Sequence, residues 1–298
     1  MLLALLLPVF LLTALGCILA RTALLAKGWQ TGLTDLTAKL LIPAFLFCGS
    51  YKNGMPAAVS WQFLAAFFVP LVLLFLGCAV LRRGPASAPR ALAASYSNTV
   101  FVGIPVLSQA FGSASLQYAF PVIAFHGLVA FSLYYLATPQ AGAGSKVGGA
   151  LLHAVRNPIV ASLLLGLALN LAGVTLPSAL TGLLALLSGA ALPCALLALG
   201  ASLAGFRIRS VGETVSVTFA KLMLLPAAVL TLSVYVFGLP APAAAVLVVI
   251  AACPVGVNAG ALVQADGHDP TVVSSAILLS SIACMATIPF WIGVVRAL

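Results

Sequence analysis

Residues 94–106 read Ala94-Ser-Tyr-Ser-Asn-Thr-Val-Phe-Val-Gly-Ile-Pro105-Val. They lie inside an apolar run of spanning length, yet they carry an Asn-Thr pair, a glycine and a proline. Proline lacks an amide donor and clashes with the preceding turn, and glycine loosens the backbone. Such a stretch predicts a helix broken inside a membrane. A second one, Ala252-Cys-Pro-Val-Gly-Val-Asn-Ala-Gly260, combines Pro254, Gly256, Asn258 and Gly260. A single case is explained equally well by a proline kink or tight glycine packing, both common in membrane helices. The matched pair points further, to two broken helices at equivalent places in two halves of the chain.

Working outward, 63% of the 298 residues are apolar and 6% are charged, with a mean hydropathy of +1.23. A soluble domain carries roughly 25% charged residues, so this chain is unable to cover itself with a solvated surface. Composition excludes a soluble enzyme, a nucleic-acid binder and a disordered scaffold. Apolar segments near the length of about 20 residues needed to span a bilayer fall at 2–20, 33–51, 60–81, 91–110, 116–137, 151–172, 180–203, 213–237, 241–263 and 272–295. The first has no basic residue ahead of its apolar core and is followed by Arg21 and Lys27, so it reads as a spanning helix rather than a secretory leader. All six cysteines sit in apolar stretches without metal-ligand spacing and read as small hydrophobes.

The formal charge of +9 is a topology signal. Alternate loops hold Arg21, Lys27, Arg82, Arg83, Arg90, Lys146, Arg156, Arg207 and Arg209, and the opposite side holds Lys52 and Arg296. Positive residues collect on the cytoplasmic face, which puts both termini outside. Pro8, Gly16 and Pro43 recur 150 positions later as Pro158, Gly166 and Pro193. Pro105 and Pro121 recur 149 later as Pro254 and Pro270. The expected fold class is an all-α polytopic membrane protein of ten helices: a first five-helix repeat at 1–137, a cytoplasmic linker at 138–150 and a second repeat at 151–298. An odd number of helices per repeat inverts the second copy, the architecture of secondary transporters, which hold substrate at mid-membrane on interrupted helices.

Asn98-Thr-Val-Phe-Val-Gly-Ile-Pro105 resembles the fourth-helix signature of the auxin efflux carrier family, which includes plant auxin exporters and bacterial malonate-type transporters. Pro254-Val-Gly-Val-Asn258, followed by Gly267-His-Asp-Pro270 and a Ser/Thr-rich last helix, is similar to its ninth and tenth helices. The resemblance implies a scaffold of helices 1, 2, 6 and 7, which also allows a homodimer through those helices. It further implies a moving transport domain of helices 3–5 and 8–10. A small organic anion is then expected where the broken helices cross, on Asn98, Thr99, Gly103, Ile104, Pro105, Pro254, Val255, Gly256 and Asn258. The short central linker and Asn258 look bacterial and malonate-transporter-like rather than plant-like, which places the protein in an inner membrane.

Charges within spans cost about 2.5–3.5 kcal/mol or more at mid-depth and are usually functional. Lys221 either sits beside the crossover, balancing the negative ends of half-helices or attracting the anion, or snorkels. Asp35 and Lys39, spaced i,i+4, form either a local ion pair or a gate. His126 is either a hydrogen-bonded core histidine or a proton carrier. No metal, cofactor or catalytic group is expected: HExxH, G-x-S-x-G and P-loop patterns are absent, and Glu213 is the only glutamate. The rival readings are a sodium-coupled organic-anion symporter of the bile-acid-transporter-like type, disfavoured by the scarcity of carboxylates, and a channel.

Overall fold

The computed structural model describes residues 2–22, 24–54, 59–81, 84, 86–138 and 158–298, and every regular element among them is helical. Of the expected features, the linker beyond Thr138 and the basic residues Arg82, Arg83, Lys146 and Arg156 lie outside the described residues. In chain order the helices are α1 (Leu2–Arg21), α2 (Trp29–Asn53), α3 (Trp61–Leu81), α4 (Ser87–Ser95), α5 (Thr99–Phe111) and α6 (Leu116–Ala137). They continue with α7 (Pro158–Leu171), α8 (Ser178–Leu203), α9 (Val211–Val236), α10 (Ala241–Ala252), α11 (Asn258–Ala265) and α12 (Thr271–Arg296). Among the described residues six helices are long and apolar enough to cross a membrane: α2, α3, α6 with the turn before it, α8, α9 and α12. Large apolar side chains stand outward on several helices, for example Leu73 on α3 and Leu186 on α8. That pattern suits lipid and not water.

Among the prolines that sit inside continuing helix are Pro43, Pro105 and Pro226. Each of these three follows a widened turn with i→i+5 bonds, at Thr37–Leu41, Thr99–Gly103 and Ala220–Leu224. Widening moves the carbonyls that a proline ring would otherwise strike. At Pro226 the carbonyl four residues back, that of Leu222, accepts the Trp291 indole N–H at 2.8 Å.

The widened turn before Pro105 corrects one expectation. The sequence predicts the interruption of the fourth apolar segment at Gly103 and Pro105, but Gly103 is helical (φ −60, ψ −49) and Pro105 enters the α-helical part of α5 without a break. The chain opens earlier, at Tyr96–Asn98, where Tyr96 is extended (φ −89, ψ 118). In the ninth segment the interruption does fall at the proline. Cys253 is extended (φ −61, ψ 150), the conformation that a following proline favours.

The chain divides into two compact units. The first comprises Met1–Ala57, Val100–Ala124 and Val155–Gly205. In it α1 packs along α8 and α2 along α7. Glycines permit the close approach: a Cβ on Gly16 would strike the Leu197 backbone of α8, and one on Gly166 would strike Phe47 O and Ser50 Oγ of α2. Tyr51 closes the same region, donating its hydroxyl to Val174 O at 2.8 Å while its own carbonyl accepts Asn170 Nδ2 at 2.7 Å.

The second unit comprises Ala58–Thr99, Phe125–Ala154 and Phe206–Leu298. Its centre is α10, whose residues Ala243 to Ala252 are all buried. The helix packs against α9 and α12, and α3 lies along α4.

Candidate functional site

Both interruptions fall in the second unit, and there they pair. Ser97 and Val255 form an antiparallel bridge, the one bridge among the described residues. Asn98 N–H donates to Pro254 O at 2.8 Å, and Gly256 N–H donates to Tyr96 O at 3.1 Å. An opened backbone within an apolar interior must have its polar groups satisfied by protein or by a wet cavity. Here each break supplies acceptors and donors for the other. Gly256 is required by contact: a Cβ there would run into the Tyr96 ring.

Around this bridge the structure gathers most of the residues singled out from the sequence. Asn98 and Thr99 are buried, as are Pro254, Val255 and Gly256, whereas Asn258 opens α11 with an exposed side chain. Asn258 hydrogen-bonds the Tyr96 side chain. His126 on α6 is buried, accepts the Ser97 N–H through Nε2 at 3.3 Å and stacks on Tyr96, with centroids 4.8 Å apart and rings 9° from parallel. It is therefore a hydrogen-bonded core histidine.

Lys221 does not snorkel. It is 0% exposed, and its Nζ donates to Ala251 O at 2.6 Å. Ala251 is in the last turn of α10, where unpaired carbonyls concentrate negative partial charge. Lys221 thus places its amine on that helix end, next to the breaks. It is the only charged residue among the buried, described ones.

Other expected residues lie elsewhere. Gly103, Ile104 and Pro105 belong to the first unit, on α5. So do Asp35 and Lys39, which form an exposed i,i+4 pair at 2.9 Å on α2. That geometry is a local ion pair, worth at most about 1 kcal/mol. Arg90, expected in a loop, lies within α4 and pairs with Glu213 of α9 at 3.2 Å.

Three participants escaped the sequence reading. Tyr96 covers Gly256 and reaches Asn258. Ser97 carries a buried Oγ with no hydrogen-bond partner in the protein. Ser280 of α12 accepts Val255 N–H at 3.0 Å. None has a sequence signal beyond being a hydroxyl in an apolar helix, because each role depends on a pairing distant in the chain. Among the described residues no group of three or more His, Cys, Asp or Glu side chains could hold a metal ion, and the six cysteines are free thiols.

Comparison with known proteins covers nearly the whole chain. Residues 1–292 match the model of a family described as Membrane transport protein. A curated protein from the archaeon Methanothermobacter thermautotrophicus, described as an uncharacterized transporter, is 29% identical over 297 residues, covering 96% of this chain and 95% of its own length.

Proposed function

The chain belongs to the membrane transport protein family that contains the auxin efflux carriers, and from that premise we propose that it is a secondary transporter moving a small organic anion by alternating access. It is a multi-pass membrane protein of a transporter family. The cargo proposed is a carboxylate, malonate or a related mono- or dicarboxylate, bound where the two interrupted helices pair.

One observation carries this reading: the bridge between Tyr96–Asn98 and Pro254–Gly256, with Lys221 on the end of α10 beside it. A carboxylate needs donors and a positive field without the desolvation penalty of a second buried ion. The Ser97 hydroxyl and the Asn258 amide supply donors. The N-terminus of α11 supplies partial positive charge. Lys221 supplies a buried amine that is positive when protonated.

The proposal includes ten spans in two inverted repeats, the architecture that such transporters use. If α4 with α5, and α10 with α11, each count as one interrupted span, each half has five spans and the fourth is the broken one. The first-unit contacts repeat with the same spacing. Gly16 meets Leu197, and Gly166 meets Phe47; Gly16 and Phe47 recur 150 positions later as Gly166 and Leu197. A reciprocal contact of that kind is what a two-fold relation between repeats produces.

The test is a melting-temperature screen of purified protein against mono- and dicarboxylates, each with and without sodium. We expect carboxylates to raise the melting temperature in a saturable manner and neutral isosteric amides to leave it unchanged. Stabilisation only when sodium is present would transfer the assignment to a sodium-coupled symporter, and no stabilisation by any carboxylate would reject the cargo class.

A further inference from the structure

The bridge at the breaks has a property that its two closing bonds do not explain. Ser97 and Val255 face each other as a non-hydrogen-bonded pair, since the bonds that close the bridge come from Asn98 N–H and Gly256 N–H. In such a pair the amides of the two central residues point away from the partner strand. In a sheet they would bond a third strand. Here there is none among the described residues, and a buried amide left without an acceptor is strongly disfavoured.

Each outward amide has a side-chain acceptor, and the acceptors occupy matching places. Ser97 N–H reaches His126 Nε2 on α6, the helix that follows the first break and α5. Val255 N–H reaches Ser280 Oγ on α12, the helix that follows the second break and α11. Both side chains are essentially inaccessible, at 1% and 0% exposure. Each half of the chain thus holds its own break with one side chain from its own last helix.

We propose that His126 and Ser280 are paired positioning residues that fix the two breaks in the geometry that binds cargo. The proposal rests on the reading of the breaks as the binding site. His126 acts through Tyr96 as well as Ser97: its ring stacks on the Tyr96 ring, Tyr96 O accepts Gly256 N–H, and the Tyr96 side chain bonds Asn258. To accept from Ser97, Nε2 must carry its lone pair, so the ring works as a neutral acceptor rather than as a proton carrier. Ser280 also donates to Ile277 O at 3.2 Å, which leaves its oxygen lone pairs for Val255.

Hydrogen–deuterium exchange on the full-length, ligand-free protein in detergent tests the positioning directly. His126→Leu keeps bulk but removes the acceptor. We expect peptides covering 96–99 and 254–258 to exchange about tenfold faster or more, as loss of a buried amide's partner requires. His126→Gln places Oε1 as many bonds from Cβ as Nε2 and should return exchange to near the wild-type rate. Ser280→Ala deletes one oxygen atom, is the milder variant should His126→Leu fold poorly, and should speed exchange at 254–258.

In the same variants, apparent affinity for malonate should fall about tenfold in His126→Leu and recover in His126→Gln, with little change in maximal rate. A side chain that merely fills space would make leucine and glutamine equivalent. Equal behaviour of those two variants, or unchanged exchange in both His126→Leu and Ser280→Ala, would overturn the proposal. Wild-type protein that does not bind malonate but shows the expected exchange pattern would reject that cargo while supporting the positioning role.

Discussion

A lysine with no exposure, bonded to the end of a helix beside two backbone breaks, caps that helix end, and the anion-attracting role proposed for it can be separated by a single substitution. Lys221→Met keeps most of the stem and removes the charge. Loss of the bond to Ala251 O leaves a carbonyl that widened or frayed turns can partly resolve, so folding should survive with a lowered melting temperature. A unit charge acting over several ångströms of protein interior is worth about 1–2 kcal/mol, or roughly five- to thirtyfold in anion affinity. Titration of the variant with the best-binding carboxylate should show that weakening, and an unchanged affinity would reduce Lys221 to a helix-end cap. Lys221, Asn98 and Asn258 were legible in the sequence because a charge or an amide inside a long apolar run is rare enough to demand a reason. Tyr96, Ser97 and Ser280 were not, since their partners come from the other half of the chain or from a later helix and no local pattern marks them.

Helices were legible from the apolar runs, and their breaks only in part. The ninth segment opens at its proline, where Cys253 is forced toward extended backbone. The fourth opens at Tyr96–Asn98, upstream of Gly103 and Pro105, because the widened turn at Thr99–Gly103 absorbs that proline. At the end of α4, Ser95 Oγ folds back onto Ala91 O at 2.8 Å, and Tyr96 leaves the helix without any proline to announce it. Glycine spacing was the more reliable guide. Gly16 and Gly166 recur at one offset and both allow close helix contact, α1 on α8 and α2 on α7. Gly166→Leu should therefore lower stability by about 1–3 kcal/mol or more through overpacking, read as a fall in melting temperature. Gly182→Leu on α8, where an added Cβ meets nothing within 4 Å, should melt like wild type or slightly higher. Equal losses from both would mean that the α2–α7 contact does not depend on a small residue.

Across the whole molecule the proposed architecture gathers most of the basic residues on one side, and so makes a definite statement about sidedness. Single cysteines in a background lacking the six native ones should react with an impermeant reagent from outside at Asn53 and Ala297, and only after permeabilisation at Ser210. A C-terminus reached only from the cytoplasm would remove one span and with it the inverted repeat. The all-helical class and a multi-pass membrane protein followed from the long apolar runs and a charge content of 6%. The pairing of the two breaks did not, because it joins backbone groups and leaves no mark in composition. That pairing is the centre of the account, and transport tests it most directly. Proteoliposomes preloaded with the unlabelled form of the best-binding carboxylate should show saturable uptake and transient counterflow of its labelled form. Asn98→Ala and Asn258→Ala should each lose that uptake while keeping near-normal yield and melting temperature, since removing one hydrogen bond to a charged group costs about 1.5–3 kcal/mol, roughly ten- to a hundredfold in affinity. Non-saturating flux without counterflow, or wild-type rates and affinity in both alanine variants, would contradict it.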